Sequence, residues 1–541
     1  MALLAIGEGS VRKICVGGEL MRRFCARLGR AYSIFTLNYV YLELSVAFLH
    51  HKCGSDLWPG FAGLQHPPIG EVMSQQTAQT QTDREQFVVD IDLLKKYNVA
   101  GPRYTSYPTA LHFDEQVDAA TVRRRLVEQL DRSRPMSLYF HLPFCRRLCW
   151  YCACTKVITG DRSKSRDYLE LLEREMSLRD EITAGRPVVQ MHFGGGTPTF
   201  LSADEIRLLG ERIHEHFDFD RHAEISVEID PREFDPAKAK ALAEIGFNRA
   251  SLGIQDSNPE VQQAINRIQP MDQNRQTVSW LRATGINSIN VDLIYGLPHQ
   301  TLESFERTID DVLELDPDRF AIYSYAHVPW VNPAQKHLEK TGLPSADTKL
   351  QLLKLVIERL CAEGYVYIGM DHFARPDDEL AVAQRTGKLQ RNFQGYSTWG
   401  GTEIMAYGMS AISQSEDMYF QNYKGLDDYG QALQAGQGPA YRGVILSEED
   451  QIRRQAIMEV MCRAQVDYAA MSEQMDIDFA SYFAEDIASL DELEEDGLVR
   501  RHPDRLEITE TGRLFIRNIA MKFDGYLKAG QDGPRSYSKT V

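Results

Sequence analysis

The sequence predicts an α/β protein in which a parallel sheet curls into a barrel or part of one, followed by a mainly helical domain. Six β-rich runs alternate with amphipathic helical stretches between residue 136 and about residue 370. The runs are close to continuously apolar, as strands covered on both faces are. From about residue 440 the chain turns helical and acidic. Six repeats fall short of the eight that a closed barrel needs.

Taken in order, residues 1–72 stand apart, with arginines at 12 to 30, an apolar stretch from Tyr32 to Leu49 broken by Asn38 and Glu43, and a Gly/Pro-containing tract. Arginines beside apolar residues allow a targeting segment, but Glu8, Glu19 and Glu43 do not suit one. Met73 opens a polar stretch typical of a disordered protein start. Residues 1–72 are therefore read as an extension upstream of the natural start, and a chain beginning at Met73 is expected to fold and function normally. Residues 73–135 are read as a linker and a covering arm.

The six runs are MSLYFHL (136–142), VVQMHF (188–193), AEISVEI (223–229), NRASLGI (248–254), NSINVDLI (287–294) and RFAIYSYA (319–326). Helical spacing between them shows in Leu302, Phe305, Ile309, Val312 and Leu313, all expected on one face. YVYIGM (365–370) is a seventh strand or the start of a lid region. The barrel is thus assigned to 136–370 and the lid region with the helical domain to 371–541. In the latter, LVRR–HPD–RLEI (498–508) reads as a hairpin between helices, with Gly497 as a helix cap and Pro503 in the turn. That order is winged-helix-like, but Glu485, Asp486, Asp491, Glu492, Glu494, Glu495 and Asp496 argue against DNA. A structural or substrate-covering role fits better.

The net charge of −17 repels a phosphate backbone, so nucleic acid is excluded as a partner. No apolar run is long enough to cross a bilayer, so no membrane association is expected. Of nine cysteines, four (Cys145, Cys149, Cys152, Cys154) fall within ten residues, which suits a metal or cluster site in a reducing compartment and places the protein in the cytoplasm. Cys361 and Cys462 sit in apolar helical stretches and read as small core residues.

CRRLCWYCAC sets Cys145, Cys149 and Cys152 in CxxxCxxC spacing directly after the first run and Pro143. Three thiolates hold three irons of a [4Fe–4S] cluster and leave the fourth open. Zinc sites usually add a second ligand pair, and no matching locus is found. In a parallel barrel the chemistry gathers at the C-terminal strand ends. There the sequence places Gly194-Gly195-Gly196-Thr197-Pro198-Thr199, Glu228 with Asp230, Gln255 with Asp256, Asp292, and Ala326 with His327. Glu228 and Asp292 lie inside apolar strands, where a carboxylate needs a cationic or hydroxyl partner.

CxxxCxxC after the first strand of a βα repeat resembles the radical S-adenosylmethionine (SAM) superfamily, in which SAM chelates the open iron and is cleaved to a 5′-deoxyadenosyl radical. PRYTSYPTA (102–110), FGGGTPT (193–199), ISVEIDPRE (225–233), DLIYGLP (292–298), IGMDHFARPDDELAVAQR (368–385) and NFQGYST (392–398) are more narrowly similar to the oxygen-independent coproporphyrinogen III oxidases. The similarity runs from about residue 95 to the C-terminus. It implies a partial (β/α)6 radical SAM barrel with a mainly helical C-terminal domain, a [4Fe–4S] cluster on Cys145, Cys149 and Cys152, and two SAM molecules. By motif, Tyr139, Gly195, Glu228 and Ile412 would contact the cluster-bound SAM. Tyr151, Gly196, Thr197, Gln255, Arg267, Asp292 and Ala326 would contact the second.

The implied reaction converts two propionates of coproporphyrinogen III to vinyl groups, giving protoporphyrinogen IX in haem biosynthesis, with an unidentified electron donor and acceptor and a monomeric enzyme. Arg375, Arg385, Arg391 and the hydroxyls of 102–110 are candidate partners for the substrate's propionates. A haem chaperone sharing this barrel is the near alternative, although it usually lacks Cys154 and the 102–110 arm. A non-catalytic cluster protein is the distant one.

Overall fold

In the computed structural model, which describes residues 88–530 and 537–540, each of the six runs is a strand. These are β1 (Met136–Leu142), β2 (Pro187–Gly195), β3 (Asp218–Ile229), β4 (Arg249–Gln255), β5 (Ser288–Tyr295) and β6 (Arg319–Ser324). They pair in chain order and in parallel. Parallel neighbours need a crossover, supplied by α1 (Ser163–Thr183), α2 (Ala203–His216), α3 (Pro236–Glu244), α4 (Met271–Ala283) and α5 (Leu302–Leu313), with α6 (Ala346–Ala362) after β6. Ser202 and Thr301 start α2 and α5 with capping boxes, satisfying backbone N–H groups that the first turn leaves open. The extension expected over 1–72 and the start expected at Met73 lie outside the described residues.

The strands are not close to continuously apolar. Leu138, Phe140, Val227, Leu252 and Val291 are buried in the main core, and between them Tyr139, His192, Glu228, Ser251 and Asp292 alternate onto the other face. The interior of this partial barrel is a polar working surface and not the stacked aliphatic layers of a closed barrel. A smaller correction applies to α5, where Leu302 is 39% exposed. Ser304 and Thr308 share the buried face with Phe305, Ile309 and Val312 instead.

Beyond β6 the run at 365–370 gives β7 (Val366–Gly369), which forms a hairpin with β8 (His372–Ala374). Because β8 pairs antiparallel to β6, this is an edge and not a seventh repeat. The opposite side was not anticipated. There β9 (Glu403–Tyr407) pairs in parallel with β1, and β10 (Ile412–Gln414), β11 (Met418–Asn422) and β12 (Ala440–Ile445) follow antiparallel. The sheet therefore has twelve strands, ordered β12-β11-β10-β9-β1-β2-β3-β4-β5-β6-β8-β7. The first strand in sequence is an interior strand in space.

A buried carboxylate ties this extension to the barrel. Glu175 of α1 pairs with Arg179 (2.7 Å) and accepts from Gly408 N (2.8 Å), Asn422 Nδ2 (2.8 Å) and Tyr429 OH (2.6 Å). Glu175→Ala is expected to cost about 3–5 kcal/mol, since it leaves the Arg179 charge buried without its partner. A denaturation midpoint equal to that of the parent chain would show that β9–β12 are held by other means.

The C-terminal region begins with α7 (Glu448–Cys462), opened by a Ser447 capping box. The expected hairpin is present as β14 (Val499–Arg501) and β15 (Arg505–Ile508), and a third strand missed in the sequence, β13 (Gln465–Asp467), pairs with β15. Among the described residues no helix is long and apolar enough to cross a membrane.

Candidate active site

Cys145, Cys149 and Cys152 sit on the loop after β1. Pro143 and Cys145 carbonyls accept from Val157 N (2.8 Å) and Thr159 N (2.9 Å), which closes the loop at its base. On its far side Trp150 N donates to Ile265 O (3.0 Å) and Asn266 Nδ2 to Leu148 O (2.8 Å). Donors surround the sulfurs. Arg232 Nη2 and Arg267 Nη1 lie 3.3 and 3.5 Å from Cys149 Sγ, and Thr197 Oγ1 lies 3.4 Å from Cys145 Sγ. These donors can hydrogen-bond to thiolates, the form that binds iron. A hydrogen bond from Cys154 holds the Cys152 thiol down at about 6, while burial pushes Cys145 up to about 11, so Cys145 ionises as it takes up metal. The residues fit a three-cysteine cluster site. Among the described residues no three His, Cys, Asp or Glu side chains gather closely enough for one mononuclear ion, whereas a cluster spreads its thiolates over separate irons.

The glycine loop after β2 supports the cysteine loop. Gly196 N donates to Leu142 O and Thr197 N to Phe144 O, both at 2.9 Å. A Cβ on Gly196 would meet Pro143 O at 2.4 Å, so only glycine fits. Gly195 (φ +116°) packs against the His141 ring, and its N–H donates to Glu228 Oε2 (3.2 Å). The N–H groups of both glycines are therefore committed within the chain, and close packing demands glycine there.

Tyr139, Gly195 and Glu228 come together on the polar face. Tyr139 stacks on His192 (5.9 Å) and bonds to His141 Nδ1 (3.1 Å), and His192 Nε2 lies 3.4 Å from Glu228. Asp292 accepts from Ser251 Oγ and Asn290 Nδ2, both at 2.7 Å. Burial, with Glu228 adding, nevertheless pushes Asp292 up to about 7. Arg267 reaches Asp230 Oδ2 (3.0 Å) and Gly253 O (2.5 Å). Although burial pushes the Asp230 carboxyl up, Arg267 and Arg232 hold it down at about 2. The side chains of Gln255 and Arg267 meet above Gly253, where a Cβ would approach them to 2.8 and 3.2 Å. Gln335, missed in the sequence, donates to both Tyr151 O (3.0 Å) and Ala326 O (3.2 Å) and so joins two predicted residues. Ile412 starts β10, next to Ala411 in the small apolar cluster that Tyr139 packs on. His141, His192, Ser251 and Arg232 were also missed, though the period-two pattern of β1, β2 and β4 carries the first three.

The substrate-side candidates divide. Arg375 pairs with Asp316 and donates to Pro317 O, and Arg385 donates to Pro376 O, so both belong to the turns at the N-terminal end of β6 and not to the strand ends that bear the cysteines. Tyr104 OH donates to Asp524 (2.8 Å) and Tyr107 OH accepts from Gly525 N (3.0 Å). These two hydroxyls fasten the arm to the C-terminal region. Arg103 and Arg391 do face inward, and Arg391 is only 7% exposed.

The chain matches the Radical SAM superfamily over residues 139–312 and the HemN C-terminal domain over 446–515. Oxygen-independent coproporphyrinogen III oxidase of Escherichia coli (strain K12) is 46% identical over 439 residues, 81% of this chain and 96% of that protein. The chain belongs to the oxygen-independent coproporphyrinogen III oxidase family. Its namesake in Pseudomonas aeruginosa is 45% identical, with 81% and 96% covered. The solved coproporphyrinogen III oxidase (HemN) structure from Escherichia coli, a radical SAM enzyme, has a TM-score of 0.78 at 45% identity, covering 82% of this chain and 100% of that one. Membership in this oxidase family carries a [4Fe–4S] cluster and SAM with it, and the three-cysteine loop is where the cluster fits.

Proposed function

We propose that this chain oxidatively decarboxylates two propionate side chains of coproporphyrinogen III to vinyl groups, giving protoporphyrinogen IX in haem biosynthesis. The observation that carries this is the 96% coverage of a 46% identical oxidase together with the intact three-cysteine loop. When bound, the cluster and SAM supply a 5′-deoxyadenosyl radical. Each propionate loses one hydrogen atom from its β-carbon, then CO2 and one electron, which an acceptor takes up. Cys145, Cys149 and Cys152 would hold the cluster, Arg232 and Arg267 would balance thiolate charge, and the arm with the C-terminal region keeps water from the interior. Two groups of residues support two SAM sites. Tyr139, Gly195, Glu228 and Ile412 border the first, and Tyr151, Gly196, Thr197, Gln255, Arg267, Asp292 and Ala326 border the second.

Anaerobic reconstitution followed by assay for 5′-deoxyadenosine and protoporphyrinogen tests the reading; tight haem binding with no decarboxylation would favour the chaperone alternative. Asp292 gives a pH signature. Its folded pKa is raised to about 7, so the carboxyl is neutral below that and becomes a stronger acceptor for a ligand hydroxyl above it. SAM affinity measured by equilibrium dialysis is expected to rise from pH 6 to 8, and Asp292→Asn to flatten the profile. A flat profile in the parent chain would remove Asp292 from the SAM contacts.

A further inference from the structure

A cavity of about 590 Å³, within the range of small-ligand sites, opens beside Ala326 and is walled by Arg103, Lys349, Asp371 and Arg517. Behind Arg103 runs a chain of alternating rings and cations. The Arg103 guanidinium lies over Tyr323 (6.0 Å), His372 packs edge-on between Tyr323 (6.2 Å) and Tyr396 (5.5 Å), and Arg391 covers Tyr396 (4.8 Å). Arg391 Nε donates to Arg103 O (3.3 Å), which brings the two arginines together.

Charge and hydrogen bonding are both incomplete here. Three guanidiniums, those of Arg103, Arg391 and Arg517, influence one another, and Arg103 pairs with Asp371. Arg517 is fully engaged, donating to the carbonyls of Gly101, Pro102 and Lys539. Arg391 Nη1 and His372 Nδ1 are buried without a hydrogen-bond partner. Burial and the neighbouring arginines push His372 down to about 3, so it is neutral and adds no charge. A buried donor left unmade is costly, and a buried cation without an anion more so.

The geometry points to a carboxylate seat formed by Arg103, Arg391 and His372, which holds one propionate of the tetrapyrrole substrate. This rests on the reaction proposed above and adds where the substrate is gripped. Asp371 balances one of the two inward guanidiniums, and the incoming carboxylate balances the other while meeting Arg391 Nη1. Arginine suits the task because its planar fork matches a carboxylate.

The test uses the reconstituted holoenzyme with coproporphyrin III as a non-reacting probe, its tetramethyl ester as the probe without carboxylates, and coproporphyrinogen III for turnover. Arg103→Gln and Arg391→Gln are expected to weaken coproporphyrin III binding about 10- to 100-fold, the loss of one charge-assisted hydrogen bond, with ester binding, iron content and SAM affinity unchanged. Arg391→Lys is expected to fall between parent and glutamine, and it serves as the readout if the glutamine variant loses its cluster. Equal coproporphyrin III affinity in the parent and in Arg391→Lys and Arg103→Gln would overturn the seat while leaving the reaction standing. Absence of turnover and of coproporphyrin III binding in the parent holoenzyme would instead sink the proposed reaction, and the seat with it.

Discussion

Serine at Cys145, Cys149 or Cys152 is expected to leave a folded protein with no stable cluster and background turnover, whereas Cys154→Ser keeps most of its iron. Serine's hydroxyl does not ionise near neutral pH and cannot replace a thiolate toward iron. The donors that face sulfur, Arg232 and Arg267 on Cys149 and Thr197 on Cys145, would then point at a neutral oxygen. Cys154 differs because its thiol hydrogen-bonds to Cys152. Iron analysis and visible absorbance of the four single variants decide the matter. Full cluster retention in any of the first three, or complete loss in Cys154→Ser, would contradict the ligand assignment.

Removal of the arm through residue 110 is expected to abolish decarboxylation while the cluster still assembles, since the cysteine loop is anchored to 157–159 and 265–266. The cost is structural as well as functional. Tyr104 and Tyr107, each 1% exposed, leave holes against the C-terminal region, worth roughly 3–5 kcal/mol for each large buried aromatic. Arg517 loses two of its three carbonyl acceptors. Limited proteolysis is expected to cut within 446–530 in the truncated chain and not in the parent. Full-rate decarboxylation by the truncated chain would remove the arm from the reaction.

Strand and helix alternation from 136 to 326 was legible because each repeat is local, with short apolar runs and cap residues such as Ser202 and Thr301. The cysteine spacing was legible because the three candidate ligands fall within eight residues. The four strands from 403 to 445 were not, since Glu403–Tyr407 and Ile412–Gln414 are short, and Glu403–Tyr407 joins the sheet only by pairing with the distant Met136–Leu142. Residue type alone also could not tell an inward arginine from an outward one. Arg391 and Arg385 lie six positions apart, and only tertiary contacts separate the buried guanidinium from the one spent on a turn carbonyl. Tyr104 and Tyr107 are hard to read for a related reason, because a tyrosine whose ring is core and whose OH bonds a neighbouring segment looks in sequence like one reaching for a ligand.

The interior position of β1 sets a timetable for synthesis. Its β2 side can be covered once Gly195 has been made, but its other side waits for Glu403–Tyr407, about 260 residues after β1 itself. At ~5–20 residues per second on the ribosome, that edge stays open for roughly ten seconds to a minute, offering unpaired backbone to any passing strand. The nascent barrel half is thus the stage most exposed to misassembly, and slowing translation between residues 200 and 400 is expected to lower soluble yield more than slowing it elsewhere.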